Sequence, residues 1–202
     1  MSAATLETRV AAALGAGDID RAATLTIREL GPEVLGFLRV AAGDAGVANE
    51  AFSQFSINVW RGLPGLGEAA ALRAWCYVIA RRSLSQLRRK ERHAVRMSTA
   101  GLAAVVEEVR TATPAFLQTA VRAEVAALRA ELDEDDRMLL TLRVDRGLPW
   151  RELAQVFAED DEAIGSSSAL DRQAAALRKR YERIKRRIRA LAEARGIVDV
   201  DA

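Results

Sequence analysis

The chain is poor in the residues on which catalysis, metal binding and secretion usually depend. It has one cysteine, Cys76, which excludes an internal disulfide framework and a cysteine-rich zinc site and points to a reducing compartment. It has one histidine, His93, set inside a basic run with no cysteine or carboxylate group at ligand spacing, so it reads as a solvated residue. Phosphate-cradling glycine loops are missing. The acidic run Asp133-Glu134-Asp135-Asp136 lacks the glycine and spacing of a calcium loop, and acids at a helix start suit its dipole. Glu107 and Glu108 are adjacent, so on a helix they point apart and cannot work as a paired acid and base. Neither an enzyme activity nor a cofactor is expected. No run of about eighteen apolar residues exists, and the opening MSAATLETRVAAALG has no basic start leading into an apolar core. The expectation is no membrane insertion and a cytoplasmic location.

Aromatic residues make up only 5% and there are four prolines, against 50% apolar residues dominated by Ala and Leu over Val, Ile and Thr. That balance favours helices throughout, so the expected fold class is all-α. Charged residues at 29% fit an ordered soluble chain, and 202 residues suffice for one large or two small domains. Lysine is scarce too, three against twenty-seven arginines, so the abundance of Arg carries little information and its placement carries more.

The placement is polarised. In Ser168 to Leu191, SALDRQAAALRKRYERIKRRIRAL, the residues Leu177, Tyr181, Ile184, Ile188 and Leu191 alternate steps of four and three, one stripe along a helix. Between them stand Arg172, Arg178, Lys179, Arg180, Arg183, Lys185, Arg186, Arg187 and Arg189 against only Asp171 and Glu182, a local balance of +7. Ser168 with Asp171 resembles a capping box, and Gly196 supplies a stop. A second basic stretch, Leu72 to His93, carries seven cations against Glu91, a balance of +6. A chain of net +2 with clusters of +6 and +7 leaves −11 for all other residues. Single-sign helix faces repel themselves, whereas closely spaced phosphates reward them through counterion release.

Taken in order, residues 1–18 read as a short helix ending at Gly15-Ala16-Gly17. A helix is expected from Asp20 to Ala42 with Ile27, Leu30, Val34, Leu35 and Leu38 inward and Gly43 closing it, and Gly31-Pro32 is a candidate early break. The next begins near Asp44, places Ala48, Phe52, Phe55 and Val59 inward and Asn49, Glu50, Gln54 and Asn58 outward, and ends at Gly62-Leu63-Pro64-Gly65. A third, Ala70 to about Arg92, holds Leu72, Trp75, Ile79 and Leu87 inward before turning basic. From Ala94 to Phe116 Ser, Thr, Gly and Pro114 interrupt the pattern, which reads as a linker with some helix and an apolar patch at Leu102 to Val106. Helices over Leu117 to Leu132 and from Asp133 through Leu142 follow, closed by Gly147-Leu148-Pro149. Trp150 to Phe157 is a short helix, Ala158 to Gly165 an acidic loop, and the long basic helix comes last. Short helix, turn, basic helix is the helix-turn-helix order.

The first half contains NEAFSQFSINVWRGLPGL (Asn49 to Leu66) followed by LRAWCYVIARRSLSQLRRKERH (Leu72 to His93), and the second LPWRELAQVF (Leu148 to Phe157) and LRKRYERIKRRIR (Leu177 to Arg189). Together they resemble the sigma-70 family of bacterial RNA polymerase sigma factors, of the small extracytoplasmic-function type, the first pair being similar to the second sigma domain and the second pair to the helix-turn-helix of the fourth. The matches cover most of residues 20–195. The resemblance implies a region 2-like domain over residues 20–93 after an N-terminal extension, 1–19. A linker over 94–116, a region 4-like domain over 117–196 and a tail over 197–202 would follow. It implies that Asn49, Glu50, Phe52, Gln54 and Trp60 lie near the contact with core RNA polymerase, burial being the competing role of Phe52 and Trp60. It implies that Arg81, Arg82, Ser85, Arg88 and Arg89 read the minus-ten element of promoter DNA, and that the helix matching Gln173 to Arg186 enters the minus-thirty-five element. An anti-sigma protein is a further partner left open by it. The chain departs from the family pattern at Arg82, where the family frequently has Asn, in a docking-helix acid cluster thinned to Asp44 and Glu50, and in an expanded turn, Glu159 to Glu162 and Ser166 to Ser168.

Residue chemistry supports the same division of labour. Trp75 and Tyr77 are candidates to hold flipped bases, with the core as the competing role of Trp75. In the last helix Arg172, Gln173, Ala176, Arg178, Lys179 and Arg180 occupy or adjoin the N-terminal turns that reach base edges, with Arg178 the foremost base reader. Arg183, Lys185 and Arg186 lie further along and suit phosphates. Ala174, Ala175 and Ala176 permit close approach to a duplex. Two rivals stay open: a dimeric helix-turn-helix regulator that is not a polymerase subunit, and a helical adaptor for acidic proteins or RNA.

Overall fold

A computed structural model describes residues 4–67, 71–90, 106–109, 126–158 and 166–197. The fold is all-α, and among the described residues there is no strand. The chain divides into two compact units, residues 1–114 and 115–202.

The first unit is built on α2, Ile19–Ala42, with α1 (Leu6–Gly15), α3 (Ala45–Gly62) and α4 (Leu72–Lys90) packed around it. Its ends follow local chemistry: the Asp18 carboxylate accepts the Arg21 N–H at 2.9 Å, and Gly43 stops the helix at φ 70°. Asp44 then caps α3, accepting the Val47 N–H at 2.8 Å. The expected break at Gly31-Pro32 does not occur, and α2 runs through it. A proline inside a helix costs about 3 kcal/mol, but Ile27, Val34, Leu35, Phe37 and Leu38 on both sides of it are fully buried, and that burial outweighs the missing hydrogen bond. Gly31 has its own reason. A Cβ there would lie 3.2 Å from both the Phe52 ring and Val109 Cγ1, so the absent side chain lets the neighbouring chains close on α2.

The core of this unit is aromatic at its centre, with Phe52 stacked on Phe55 at 5.6 Å and Phe37 edge-on to Tyr77 at 5.4 Å. Its α4 contribution differs from the expected face. Leu72 is buried as expected, but Trp75, Ile79 and Leu87 are half-exposed, and Cys76, Tyr77, Ala80, Ser83 and Leu84 line the core instead. The inward face is displaced by about one residue. Small residues at 76, 80 and 83 let α4 approach closely, and the Asn58 amide of α3 donates to the Ser83 hydroxyl at 3.0 Å across the seam. Within the expected linker, residues 106–109 are helical, Val106 and Val109 are buried, and Glu108 pairs with Arg28 of α2 at 3.1 Å. The rest of residues 94–116 lie outside the described residues.

Burial, and secondarily the negative charge of Glu33, push the Cys76 thiol well above its ordinary range. A raised folded-state value means that this thiol favours the folded state below its unfolded pKa and the favour is lost as pH rises. Stability of the first unit should therefore fall above about pH 8.5. Ellman's reagent at pH 8 should leave Cys76 unmodified until guanidinium is added; rapid reaction of the native protein would contradict this burial.

In the second unit Asp133 caps α5, Glu134–Leu140, accepting the Asp136 N–H at 2.8 Å. The helix is closed at Gly147, φ 68°, as expected, but widens into a π turn over Thr141–Asp145 before it stops. Leu148, Leu153, Val156 and Phe157 of the next segment, which contains α6 (Trp150–Val156), then reach a core shared with Leu170, Ala174, Leu177 and Ile184 of α7, Ser167–Ala194. Ser166, not Ser168, caps α7, its hydroxyl accepting the Ala169 N–H at 3.3 Å. Ser166 has the extended backbone a cap requires, while Ser168 already lies inside the first turn. Residues 159–165 of the acidic loop lie outside the described residues.

Candidate nucleic-acid interface

The basic residues of α4 are more engaged than their charge suggests. Arg73 pairs with Glu33 at 3.0 Å, and Arg88 donates to the Ala42 carbonyl at 3.2 Å. Arg81, Arg82 and Ser85 are half-buried, whereas Arg88 and Arg89 are exposed. Tyr77 is wholly buried against Phe37 and is a core residue, which removes it as a platform for flipped bases. Trp75 is half-buried, with Gly62 of α3 lying close beneath its indole. Arg92 and His93 lie outside the described residues.

The residues of the expected polymerase contact are not gathered into one open face. Phe52 is fully buried, the burial role rather than the surface one. Gln54 donates to Asn58 at 3.0 Å and is drawn with it toward α4, and the Trp60 indole N–H donates to Asp20 at 2.7 Å. Asn49 is half-buried and Glu50 alone of the five is exposed.

In the second unit α6 and α7 are tied at both ends of their contact. The Arg151 guanidinium donates to the Ser167 hydroxyl at 3.1 Å, and the Gln173 amide donates to the Phe157 carbonyl at 3.4 Å. Gln173, expected as a DNA contact, thereby also braces the two helices. Ala174 is buried and packs inward, whereas Ala175 and Ala176 are exposed.

Eight of the nine cations of α7 separate into three sets. The first holds the helix down. Arg180 donates through Nε to Asp136 and through NH2 to Asp133 at 3.1 Å, with Asp135 at 3.7 Å. Burial pulls its pKa down, but the hydrogen bond to Asp136 and the charges of Asp136, Asp133 and Asp135 outweigh it and hold the guanidinium above its ordinary value. Arg187 donates to the Glu131 carbonyl at 3.0 Å on the same edge. Expected as a DNA contact, Arg180 is instead the anchor of α7 on α5, because the acids at the α5 start need a cation as much as they need the helix dipole. Arg180→Gln should lower the stability of the second unit by about 1–2 kcal/mol in urea unfolding. It should leave the salt dependence of duplex binding unchanged; a reduced slope would place Arg180 on a phosphate.

The second set is held by rings. Arg178 lies 5.6 Å from the Trp150 centroid, and Lys185 lies 5.2 Å from that of Tyr181 while pairing with Glu182 at 2.9 Å. Trp150 and Tyr181 meet edge-on at 5.6 Å, and Arg143 lies 4.8 Å from the Trp150 centroid. Sequence reasoning assigned Trp150 and Arg143 no role. The only available signal was an indole opening a helix directly before a basic one.

The third set is open. Arg172, Lys179, Arg183 and Arg186 are exposed and have no ion-pair partner among the described residues, Arg172 donating only to the Ser168 carbonyl of its own helix. Arg172, Lys179 and Arg186 follow one another at seven-residue steps, so they form one line about 21 Å long. Arg183 borders a cleft of about 320 Å³ that Asp133, Asp136, Arg180, Ile184 and Arg187 also line. Arg189 stands apart, 3.8 Å from Glu193.

No helix among the described residues is long and apolar enough to cross a membrane. Compared with protein-family models, with curated proteins and with solved structures, the chain matches none of them.

Proposed function

We propose that this chain is a sigma factor of the extracytoplasmic-function type, which binds core RNA polymerase and directs promoter-specific initiation by recognising and melting promoter DNA. The observation that carries the reading is the line of cations on α7 without ion-pair partners among the described residues, on a helix braced against a shorter one in helix-turn-helix order. Such a line costs self-repulsion unless a polyanion meets it, and spacing along one face suits the backbone of a duplex. Under this reading Arg172, Lys179, Arg183 and Arg186 take phosphates at the minus-thirty-five element and Arg178 reads a base. The exposed end of α4, with Arg88 and Arg89, approaches the minus-ten element, and Glu50 belongs to the surface offered to polymerase. The motifs Asn49 to Leu66, Leu72 to His93, Leu148 to Phe157 and Leu177 to Arg189 support the assignment in the order the family uses.

The test is transcription in vitro from genomic DNA with purified core polymerase. Initiation at defined start sites only when this protein is present is the expected result. Tight binding to palindromic duplexes by the protein alone, with no effect on core polymerase, would instead favour a dimeric helix-turn-helix regulator.

A further inference from the structure

Arg178 and Arg180 are two residues apart on one helix, and the structure treats them oppositely. Three carboxylates neutralise Arg180, whereas Arg178 meets no carboxylate among the described residues and lies over the Trp150 ring at 5.6 Å. An aromatic face restrains a guanidinium and leaves its charge and its five donors available, which a carboxylate does not. The ring is itself fixed. It opens α6, meets Tyr181 edge-on at 5.6 Å, and lies 4.8 Å from Arg143, whose guanidinium is tethered to the Leu148 carbonyl at 2.8 Å. Arg178 is thus the one member of this cluster that is exposed and has no hydrogen-bond or ion-pair tether among the described residues.

We infer that Trp150 is a positioning residue for sequence discrimination: it pre-orients the Arg178 guanidinium, still fully charged, for a bidentate contact with a base edge. The inference rests on the reading of α6 and α7 as a DNA-reading pair. Reading a base with a long side chain requires freezing several rotatable bonds, and a side chain already restrained in the free protein loses less freedom on binding. A phosphate contact gains little from such restraint because it tolerates many geometries. The cation line of Arg172, Lys179 and Arg186 has no aromatic partner among the described residues, and the contrast fits one set for position and another for sequence.

Two measurements test this on the full chain. In the free protein, the Arg178 side-chain protons should show upfield ring-current shifts by NMR, retained in Trp150→Phe and abolished in Trp150→Ala. Absence of those shifts in the wild-type protein overturns the inference whatever the chain binds. Next, a duplex obtained by selection from a random pool is compared with its single-base variants across a salt series. Arg178→Ala should cut discrimination at one base pair by about 5- to 100-fold. Trp150→Ala should cut it at the same base pair, by about 3- to 10-fold, with the slope of log affinity against log salt unchanged and Trp150→Phe restoring most of the loss. Equal weakening on all sequences, or loss at a different base pair, overturns the positioning role. If the ring-current shifts are present while the wild-type protein selects no sequence, the arrangement stands, and both the DNA-reading function and the role built on it fall.

Discussion

Replacing Arg172, Lys179 and Arg186 together with alanine is expected to weaken binding to any duplex by roughly 500-fold at 0.1 M salt. Each phosphate neutralised contributes about 0.9 to the slope of log affinity against log salt, so three lost contacts lower the slope by about 2.7. Extrapolated from 1 M salt, where the counterion term vanishes, that slope change corresponds to the stated loss. The three residues are exposed, and none has an ion-pair partner among the described residues, so their removal leaves the core of the second unit untouched. Fluorescence anisotropy over a salt series reads the slope, and circular dichroism confirms that the helix persists. A slope that stays at the wild-type value would show that this face of α7 does not meet phosphates. Loss of specificity without loss of slope would instead place these residues on bases.

Phe52→Ala should cost about 3–5 kcal/mol, the range for emptying a buried aromatic site. Phe52 is fully buried, stacks on Phe55 at 5.6 Å, and reaches the bare backbone of Gly31 on α2. A loss of that size is a large share of the 5–15 kcal/mol that holds typical domains together. Amide hydrogen exchange should accelerate across α2, α3 and α4 together, since all three line the same core. Protection retained in these helices, with a defect confined to polymerase binding, would return Phe52 to the surface role that its place in the motif suggested.

How far the sequence announces this structure varies with the kind of signal. The end of α2 and the start of α3 are legible because Gly43 and Asp44 are local punctuation, each acting within a turn of where it stands, whereas the start of α2, expected at Asp20, is set by the Asp18 cap. The Ser166–Ser168 run is also punctuation, but three equivalent hydroxyls cannot be ranked until the backbone selects one. Pro32 carries a local signal that tertiary burial overrules. The inward face of α4 departs from its pattern for a different reason: hydrophobicity picks Trp75, Ile79 and Leu87, whereas close helix packing selects the small residues Cys76, Ala80 and Ser83. The π turn at Thr141–Asp145, which leaves Val144 52% exposed, has no local marker at all. The candidate interface shows the same division. That α7 is cationic is plain from composition, but which cations are spent within the fold depends on partners such as Asp133 and Asp136, more than forty residues earlier in the chain.

The three tryptophans occupy three chemically distinct settings: Trp60 bonded to Asp20, Trp75 pressed on Gly62, and Trp150 among guanidinium groups. Residues 115–202 contain a single indole, so a Trp60→Phe, Trp75→Phe chain would carry one tryptophan, excited selectively near the red edge of its absorption and seated where the last helix meets its brace. Its emission would register any ligand that displaces Arg178, giving this unit an optical reporter that no label has to supply.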